Sequence, residues 1–253
     1  MKHTISFVTS TYNEENNLAA CLESVKDIVD EIIVVDGSST DNTVKIAKEY
    51  GAKVVITTNP PIFLINRQKA IDLATKDWLL NLDADERLTP DLASEIKNEL
   101  DKKNDEINGY YMPRKNWYLG RYLMKGGVYP DYQLRLYKRG KVHFALKDVH
   151  EQAIVEGETG YLHKAINHIS DPVFKRYLLR FNRYTDRMAD EFKDAHLGKN
   201  PLIFLQHVLI KPIYTFFMTY IRHKGFMDGW QGFVFHFYSS LRYSIAYIKY
   251  LRS

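Results

Sequence analysis

Residues 79–92 read LLNLDADERLTPDL, a hydrophobic run that ends in a cluster of carboxylates. The leucines are typical of the end of a buried strand, and the acids Asp83, Asp85 and Glu86 follow within four positions. A strand that ends in this much negative charge needs an explanation.

Two interpretations of this cluster are open. Strand ends meet water and Asp is common in turns, while Thr89 and Pro90 are typical of the start of a helix, so the cluster could be ordinary turn chemistry. Alternatively, Asp-x-Asp on an extended segment points both side chains to one side, where they could share a divalent cation. Mg²⁺ and Mn²⁺ prefer oxygen ligands and offset the repulsion between neighbouring carboxylates.

The composition is that of an ordinary soluble protein with a sizeable core. The chain has 253 residues, of which 45% are hydrophobic and 26% charged, and this length fits one large domain or one domain with an appendage. Its single cysteine, Cys21, excludes an internal disulfide and suits a reducing compartment. The N-terminal MKHTISFVTS lacks the apolar core of a signal peptide, so we expect a cytoplasmic protein.

The first hundred residues alternate between strand and helix patterns. Strands are predicted over 4–12, 31–36, 52–58 and 77–83, and helices over 15–29, 41–51, 64–75 and 90–103. In the helix over 41–51, Asp41 is the predicted cap and Gly51 the predicted stop. Strands with few polar interruptions that alternate with helices predict an α/β fold, in which a mostly parallel, Rossmann-like sheet is flanked by helices.

Polar and acidic residues follow the predicted strands at their carboxyl ends, where such sheets bind ligands. These residues are Thr11 and Glu14 after the first strand, Asp36 after the second, and Asp83 and Asp85 after the fourth. No GxGxxG follows the first strand and no GxxxxGK[ST] occurs anywhere, so dinucleotide-dependent hydride transfer and P-loop phosphoryl transfer are disfavoured. An acidic edge suits a diphosphate only with a cation between them.

Three segments in this order resemble the nucleotide-sugar domain of family-2 inverting glycosyltransferases with the GT-A fold. They are FVTSTYNEENNLAACLESV, EIIVVDGSSTDNT and LNLDADE, and the close resemblance covers residues 1–110. GGVYPDYQLRLYKRG, followed by DVHE, is similar to the bacterial lipopolysaccharide-core β-glucosyltransferases of that family.

The resemblance implies roles for individual residues. Thr11 and Glu14 would line the nucleotide pocket, Asp36 would bind uracil, and Asp83 would approach the ribose and the metal. Asp85 would ligate the Mg²⁺ or Mn²⁺ that bridges the two phosphates. Arg67 lies where the family often has a basic residue that faces the donor, although a solvated helix face is the alternative.

Inversion requires a carboxylate that takes the proton of the acceptor hydroxyl. Asp131, in VYPDYQLRL, is the favoured candidate, with Glu151 second and Asp148 too close to exclude. The alternative for Asp131 is an ordinary turn aspartate. His150 could be a further metal ligand or an acceptor contact. Arg135 could contact a phosphate or the acceptor, or form a cross-strand ion pair.

The tail differs from the rest of the chain. Residues 201–253 hold six Lys and Arg against one acid, Asp228, whereas residues 1–200 hold 29 against 30. The tail also carries 14 of the 34 aromatic residues. A helix over 171–200 with a basic stripe precedes it.

Three accounts of the tail are open. The favoured account is that the helices lie in the membrane interface. In the second account the tail packs inward as a core formed by Leu202, Leu205, Leu209, Ile213, Phe216 and Tyr220. The third is an oligomer interface rich in aromatic residues, which would look similar in sequence. A transmembrane span over 201–221 is disfavoured because Gln206, His207 and Lys211 interrupt it. Nucleic-acid binding is disfavoured by the acidic edge of the sheet.

The sequence therefore predicts three regions: a nucleotide-sugar half over 1–110, an acceptor half over 111–170, and a helical extension over 171–253 that binds the inner membrane or forms an oligomer. The predicted function is metal-dependent transfer of a hexose from a UDP-sugar, UDP-glucose by resemblance, to a sugar hydroxyl of a glycolipid such as lipopolysaccharide core. The enzyme is expected to be cytoplasmic and peripheral on the membrane. A polyprenyl-phosphate glycosyltransferase and a non-catalytic sugar-nucleotide-binding protein are the alternatives.

Overall fold

The computed structural model describes residues 3–102, 106–146 and 152–253. Contacts divide the chain into two compact units, each with its own packing. The first comprises Met1–Arg114 and Asp131–His168, and the second comprises Lys115–Pro130 and Ile169–Ser253.

The first unit is built on a sheet whose middle is parallel. Its strands are β1 Ile5–Thr11, β2 Glu31–Asp36, β3 Lys53–Ile56, β4 Trp78–Asn81, β5 Glu86–Arg87, β6 Ile107–Tyr118, β8 Asp131–Lys138, β11 Glu158–Tyr161 and β12 Ile166–Asp171. The order is β3-β2-β1-β4-β8-β6-β12-β5, in which β1, β2, β3 and β4 are parallel and β8 is antiparallel to β4. The short β9 Val142–His143 and β10 Ile154–Val155 form a separate pair. This arrangement confirms the predicted mostly parallel α/β sheet.

Helices cover this sheet, and the apolar spacing in the sequence explains which side of each helix is buried. They are α1 Leu18–Val25, α2 Thr43–Glu49, α3 Leu64–Asp72 and α4 Pro90–Asp101. Leu18, Cys21, Leu22 and Val25 of α1 are fully buried, as their helical spacing predicts. Burial also raises the pKa of the Cys21 thiol, which makes Cys21 a packing residue.

Local signals in the sequence set where several helices begin and end. Thr89 caps α4, accepting a hydrogen bond from the backbone N–H of Leu92, and Pro90 is the first helical residue. Asp41 accepts from the backbone N–H of Thr43 at the start of α2, although Asn42 is the cap residue itself. Gly51 ends this helix with a φ of 72°, a conformation that glycine adopts readily.

The second unit is mainly helical. It contains the ends of β6 and β12, the short β7 Arg121–Leu123, and α5 Phe174–Asp194. A continuous helical run follows as α6 Pro201–Leu205, a π-helical segment Gln206–Ile210, α7 Lys211–Phe216 and a second π-helical segment Phe217–Arg222. A 3₁₀ turn, Gly225–Asp228, leads into α8 Gly229–Arg252.

The alternative in which six apolar tail residues pack into a core is wrong for four of the six, while Phe216 and Tyr220 are partly buried. Leu202 is 72% exposed and Ile213 68%, and Leu205 and Leu209 are exposed as well. The helix Pro201–Arg222 is the one helix among the described residues that is long and apolar enough to cross a membrane by length and composition alone, with a mean hydropathy of 1.4. The packing of the second unit therefore leaves these four side chains exposed.

Candidate functional site

A polar cavity of about 350 Å³ lies in the first unit at the carboxyl ends of β1 and β4. It contains most of the residues that were predicted to bind the donor. Its lining is Ser10, Thr11, Tyr12, Glu14, Asn59, Phe63, Asn66, Arg67, Asp83, Ala84, Asp85 and His168. The carboxyl ends of neighbouring parallel strands meet at one edge of the sheet, which brings together Thr11, Glu14, Asp83 and Asp85. Helix α3 adds Arg67 to these donor residues.

Asp36 is not among the described residues that line this cavity. Its side chain is fully buried and accepts hydrogen bonds from the Thr11 hydroxyl at 3.0 Å, the Ser39 hydroxyl at 2.6 Å and the Ser39 backbone N–H at 2.7 Å. Asp36 thus orders Thr11 and the loop after β2, and its contact with a base stays a prediction.

Asp83 is held by two arginines. Arg67 of α3 pairs with its Oδ1, and Nη2 of Arg135 on β8 lies 2.6 Å from its Oδ2. Burial alone would raise the pKa of Asp83, but the guanidinium groups of Arg135 and Arg67 outweigh it and hold this pKa well below its usual range. Asp83 therefore stays ionised, with both oxygens engaged. Arg67 is buried, so the solvated helix face proposed as its alternative is wrong.

Asp85 lies beside a histidine that the sequence reasoning missed. Oδ2 of Asp85 is 3.4 Å from Nε2 of His168, and both side chains are largely buried at the cavity wall. His168 arrives on β12, which pairs with β5 so that His168 is opposite Glu86. No local motif in INHIS marks this histidine, because its position depends on strand pairing across more than eighty residues.

The residues here fit a divalent cation in part. Among the described residues, no group of three or more His, Cys, Asp and Glu side chains could hold a metal. Asp85 and His168 offer one oxygen and one nitrogen, which suits a cation that takes its remaining ligands from a bound diphosphate.

A second cavity of about 260 Å³ adjoins the first and shares Phe63, Arg67 and Asp83 with it. Its other lining residues are Leu64, Asn81, Arg114, Gln133, Leu134, Arg135, Phe144, Gln152 and Ala153. Arginine and amide side chains make it a polar space next to the proposed donor site.

A chain of ion pairs connects Asp83 with Asp131. Arg135 Nη2 bonds Asp83 and also Oε1 of Glu86, at 2.8 Å, and Arg114 Nη1 bonds the same Glu86 oxygen at 3.0 Å. Arg114 then donates from Nε and Nη2 to Oδ2 of Asp131, at 2.9 and 2.8 Å. Glu86 is completely buried, and its Oε2 accepts the backbone N–H of Asp83. The third acid of the opening cluster is thus the centre of this network.

Asp131 begins β8, and its side chain is partly exposed. Its Oδ1 accepts from Gln133 at 2.8 Å, while Arg114 holds Oδ2. Both partners line the second cavity, whereas Asp131 is not among the described residues that line either cavity. The proposed roles of Glu151, His150 and Asp148 lie outside the described residues.

Comparison with known proteins agrees with this architecture. Residues 6–169 match the model of glycosyl transferase family 2. The lipopolysaccharide core biosynthesis glycosyltransferase LpsC of Rhizobium meliloti is 31% identical over 88% of this chain and 82% of its own length. An uncharacterized glycosyltransferase of Rickettsia conorii is 31% identical over 91% of this chain and 83% of its length.

One solved structure is similar across nearly the whole chain. The mannosyltransferase PcManGT of Pyrobaculum calidifontis, solved with GDP-Man and Mn²⁺, has a TM-score of 0.54 and 14% identity, with coverage of 99% of this chain and 88% of its own. At this identity the likeness concerns the fold. The family match, the two relatives and the fold together show that the chain belongs to glycosyl transferase family 2 and is a glycosyltransferase with the GT-A fold.

Proposed function

We propose that this glycosyltransferase moves a hexose from a UDP-sugar, UDP-glucose by family resemblance, to a sugar hydroxyl of a glycolipid with inversion at the anomeric carbon. The observation that carries this proposal is the polar cavity at the carboxyl ends of β1 and β4, in which Thr11, Glu14, Arg67, Asp83 and Asp85 come together. The lipopolysaccharide-core role in the name of the LpsC relative supports a glycolipid acceptor.

In this proposal Asp131 is the general base. It takes the proton of the acceptor hydroxyl while the oxygen bonds to the anomeric carbon and the bond to UDP breaks on the opposite face. Arg114 and Gln133 hold its two carboxylate oxygens, so the base needs little reorientation when the acceptor arrives.

Asp85 and His168 are the proposed protein ligands of Mn²⁺ or Mg²⁺ beside the donor diphosphate. When bound, the cation supplies Lewis-acid stabilisation of the leaving diphosphate. Asp83, whose oxygens are engaged by Arg67 and Arg135, instead faces the nucleotide and neutralises these arginines.

The proposed place of action is the cytoplasmic face of the inner membrane, where a lipid-linked sugar is met. Attachment would be peripheral, through residues 201–253. The exposed apolar side chains of this segment support the attachment.

The donor site is tested by thermal shift with UDP, GDP, CDP and dTDP, each with and without Mn²⁺. A ligand that binds only the folded state raises the melting temperature by mass action. We expect UDP with Mn²⁺ to stabilise the wild type and to have no effect on Asp85→Ala. The matched control is Asp101→Ala, at the exposed end of α4, which should respond like the wild type. If no nucleotide shifts the wild type with Mn²⁺ present, the donor proposal fails.

The acceptor chemistry is tested with Asp131→Asn. A lipid-phosphate acceptor needs little general base, so a polyprenyl-phosphate glycosyltransferase would keep most of its activity, whereas transfer to a sugar hydroxyl should lose about 10²-fold in kcat. Transfer is measured as UDP release with lipopolysaccharide-core and polyprenyl-phosphate acceptors. If the protein binds the donor but releases no UDP with either acceptor, the non-catalytic alternative is favoured.

A further inference from the structure

The second unit ends in a helical hairpin whose outer surface is apolar. Its two arms are the helical run Pro201–Arg222 and α8, and residues 221–230 between them form what we term the hairpin tip. More than half of the exposed large apolar side chains in the described part of the chain lie between Leu202 and Phe237. Soluble monomers rarely expose contiguous apolar patches of this extent, so the surface indicates a partner.

The two arms of the hairpin are packed against each other, and several polar groups between Ile203 and Ser244 are satisfied within it. Lys211 Nζ lies 2.6 Å from Nε2 of the buried His207, whose Nδ1 bonds the Ile203 carbonyl at 3.1 Å. Ser244 of α8 donates to the Val208 carbonyl at 3.0 Å. The arms therefore hold each other through their inner sides and present the apolar side chains outward.

The tip combines exposed apolar and exposed basic side chains. Phe226 is 49% exposed, Met227 51% and Trp230 61%, while Arg222 and Lys224 are also exposed. Asp228, the one acid of residues 201–253, is 1% exposed. It accepts the backbone N–H groups of Met124 and Lys125 at 2.9 and 2.8 Å. The side chains that the tip presents to its surroundings are thus apolar or basic.

We infer that the hairpin tip inserts its apolar side chains into the head-group region of an anionic bilayer, with Arg222 and Lys224 at the phosphates. Segments that anchor a protein at a membrane interface combine exposed Trp and Phe with basic residues. The tip has this combination, and its acid, Asp228, is buried. The tip exposes cations and no acid, so a second copy of this chain would offer the same surface no opposite charge, which favours an anionic bilayer over a dimer. The inference rests on the proposed function, because membrane binding would bring the enzyme to a lipid-linked acceptor.

The test measures sedimentation of the full chain with vesicles of phosphatidylcholine alone and of phosphatidylcholine with phosphatidylglycerol, without donor or acceptor. We expect binding to the anionic vesicles that weakens with salt. The triple variant Phe226→Ser, Met227→Ser, Trp230→Ser should lose binding at least tenfold on anionic vesicles. Arg222→Gln with Lys224→Gln should bind anionic vesicles about tenfold less and lose the preference over neutral ones. Ile56→Ser, a 60% exposed residue of the first unit, is the matched control.

Insertion of the tip itself is tested by quenching of tryptophan fluorescence with brominated lipids. Quenching should be strong in the wild type and largely lost in Trp230→Phe, which should still bind. Quenching that persists without Trp230, or a wild type that stays in the supernatant with both vesicles, would overturn the inference. So would a dimer, measured by light scattering, that the triple variant dissociates while vesicle binding is absent. Because no nucleotide is present, none of these results depends on the sugar-transfer proposal.

Discussion

Asp85 and His168 meet across the sheet at the cavity wall, where we propose them as the two protein ligands of the cation. We expect His168→Ala to raise the Mn²⁺ concentration for half-maximal activity at least tenfold, because the variant would lack one of the two proposed protein ligands. The measurement is a Mn²⁺ titration of UDP release, together with thermal shift by UDP at each Mn²⁺ concentration. His163→Ala, an exposed histidine five residues away, is the control. Equal Mn²⁺ requirements for the two variants would exclude His168 as a ligand.

Glu86 is the shared partner of two guanidinium groups, the buried one of Arg135 and the partly buried one of Arg114. Removing its charge takes away the carboxylate between Arg135 and Arg114, although Arg135 keeps Asp83 and Arg114 keeps Asp131. Glu86→Gln should therefore lower the free energy of unfolding by about 1–3 kcal/mol. Urea denaturation measures this change. The control is Glu23→Gln, whose surface pair with Lys26 should be worth less than about 1 kcal/mol. A similar small loss for both variants would mean that the chain of ion pairs adds little to stability.

The site residues that could be predicted from the sequence are those whose positions follow from local pattern. Thr11, Asp83 and Asp85 end predicted parallel strands, so their meeting at one edge of the sheet follows from the alternation of strands and helices alone. His168 and Arg114 could not be found this way. They reach the site through β12 and β6, whose pairing depends on contacts distant in sequence.

At the scale of elements, the helical period of the tail predicted its helices but not what covers their apolar side chains. A stripe of large apolar residues looks the same whether a protein core or a lipid surface covers it. The exposure of Leu202 and Ile213 in the structure decides against the core, which periodicity alone could not do.

The turn between the arms of the hairpin depends on close backbone approach. A Cβ on Gly232 would lie 2.2 Å from the Gly225 carbonyl oxygen, which is backbone and cannot rotate away. Gly232→Ala should therefore lower the free energy of unfolding by about 1–3 kcal/mol. Urea denaturation measures this change. Gly198→Ala, where the nearest atom is the end of a side chain at 3.3 Å, should change it far less. Equal stabilities for the two variants would show that the turn relaxes easily.

At the scale of the whole molecule, stability should depend on pH through a buried histidine. His236 of α8 is 1% exposed and lies against Gly126 and Gly225, and its Nε2 has no hydrogen-bond partner among the described residues. Burial lowers the pKa of His236, and the nearby Asp228 only partly offsets this effect. The folded protein therefore keeps this imidazole neutral at pH values at which the unfolded chain protonates it.

The sign of the pH effect follows from this difference. A folded pKa below the unfolded value of 6.5 means that the unfolded state binds more protons below that pH, so stability is full above pH 6.5 and falls as the pH drops. The slope approaches about 1.4 kcal/mol per pH unit for each such histidine. His207, whose pKa burial also lowers, adds to this slope.

The measurement is urea denaturation of the wild type and of His236→Gln between pH 5 and 8. On acidification the free energy of unfolding should fall less in His236→Gln than in the wild type, whatever the stability of the variant at pH 8. His163→Gln, which replaces an exposed histidine of the first unit, is the control. Parallel curves for the wild type and His236→Gln would mean that His236 takes up its proton equally in the folded and unfolded states.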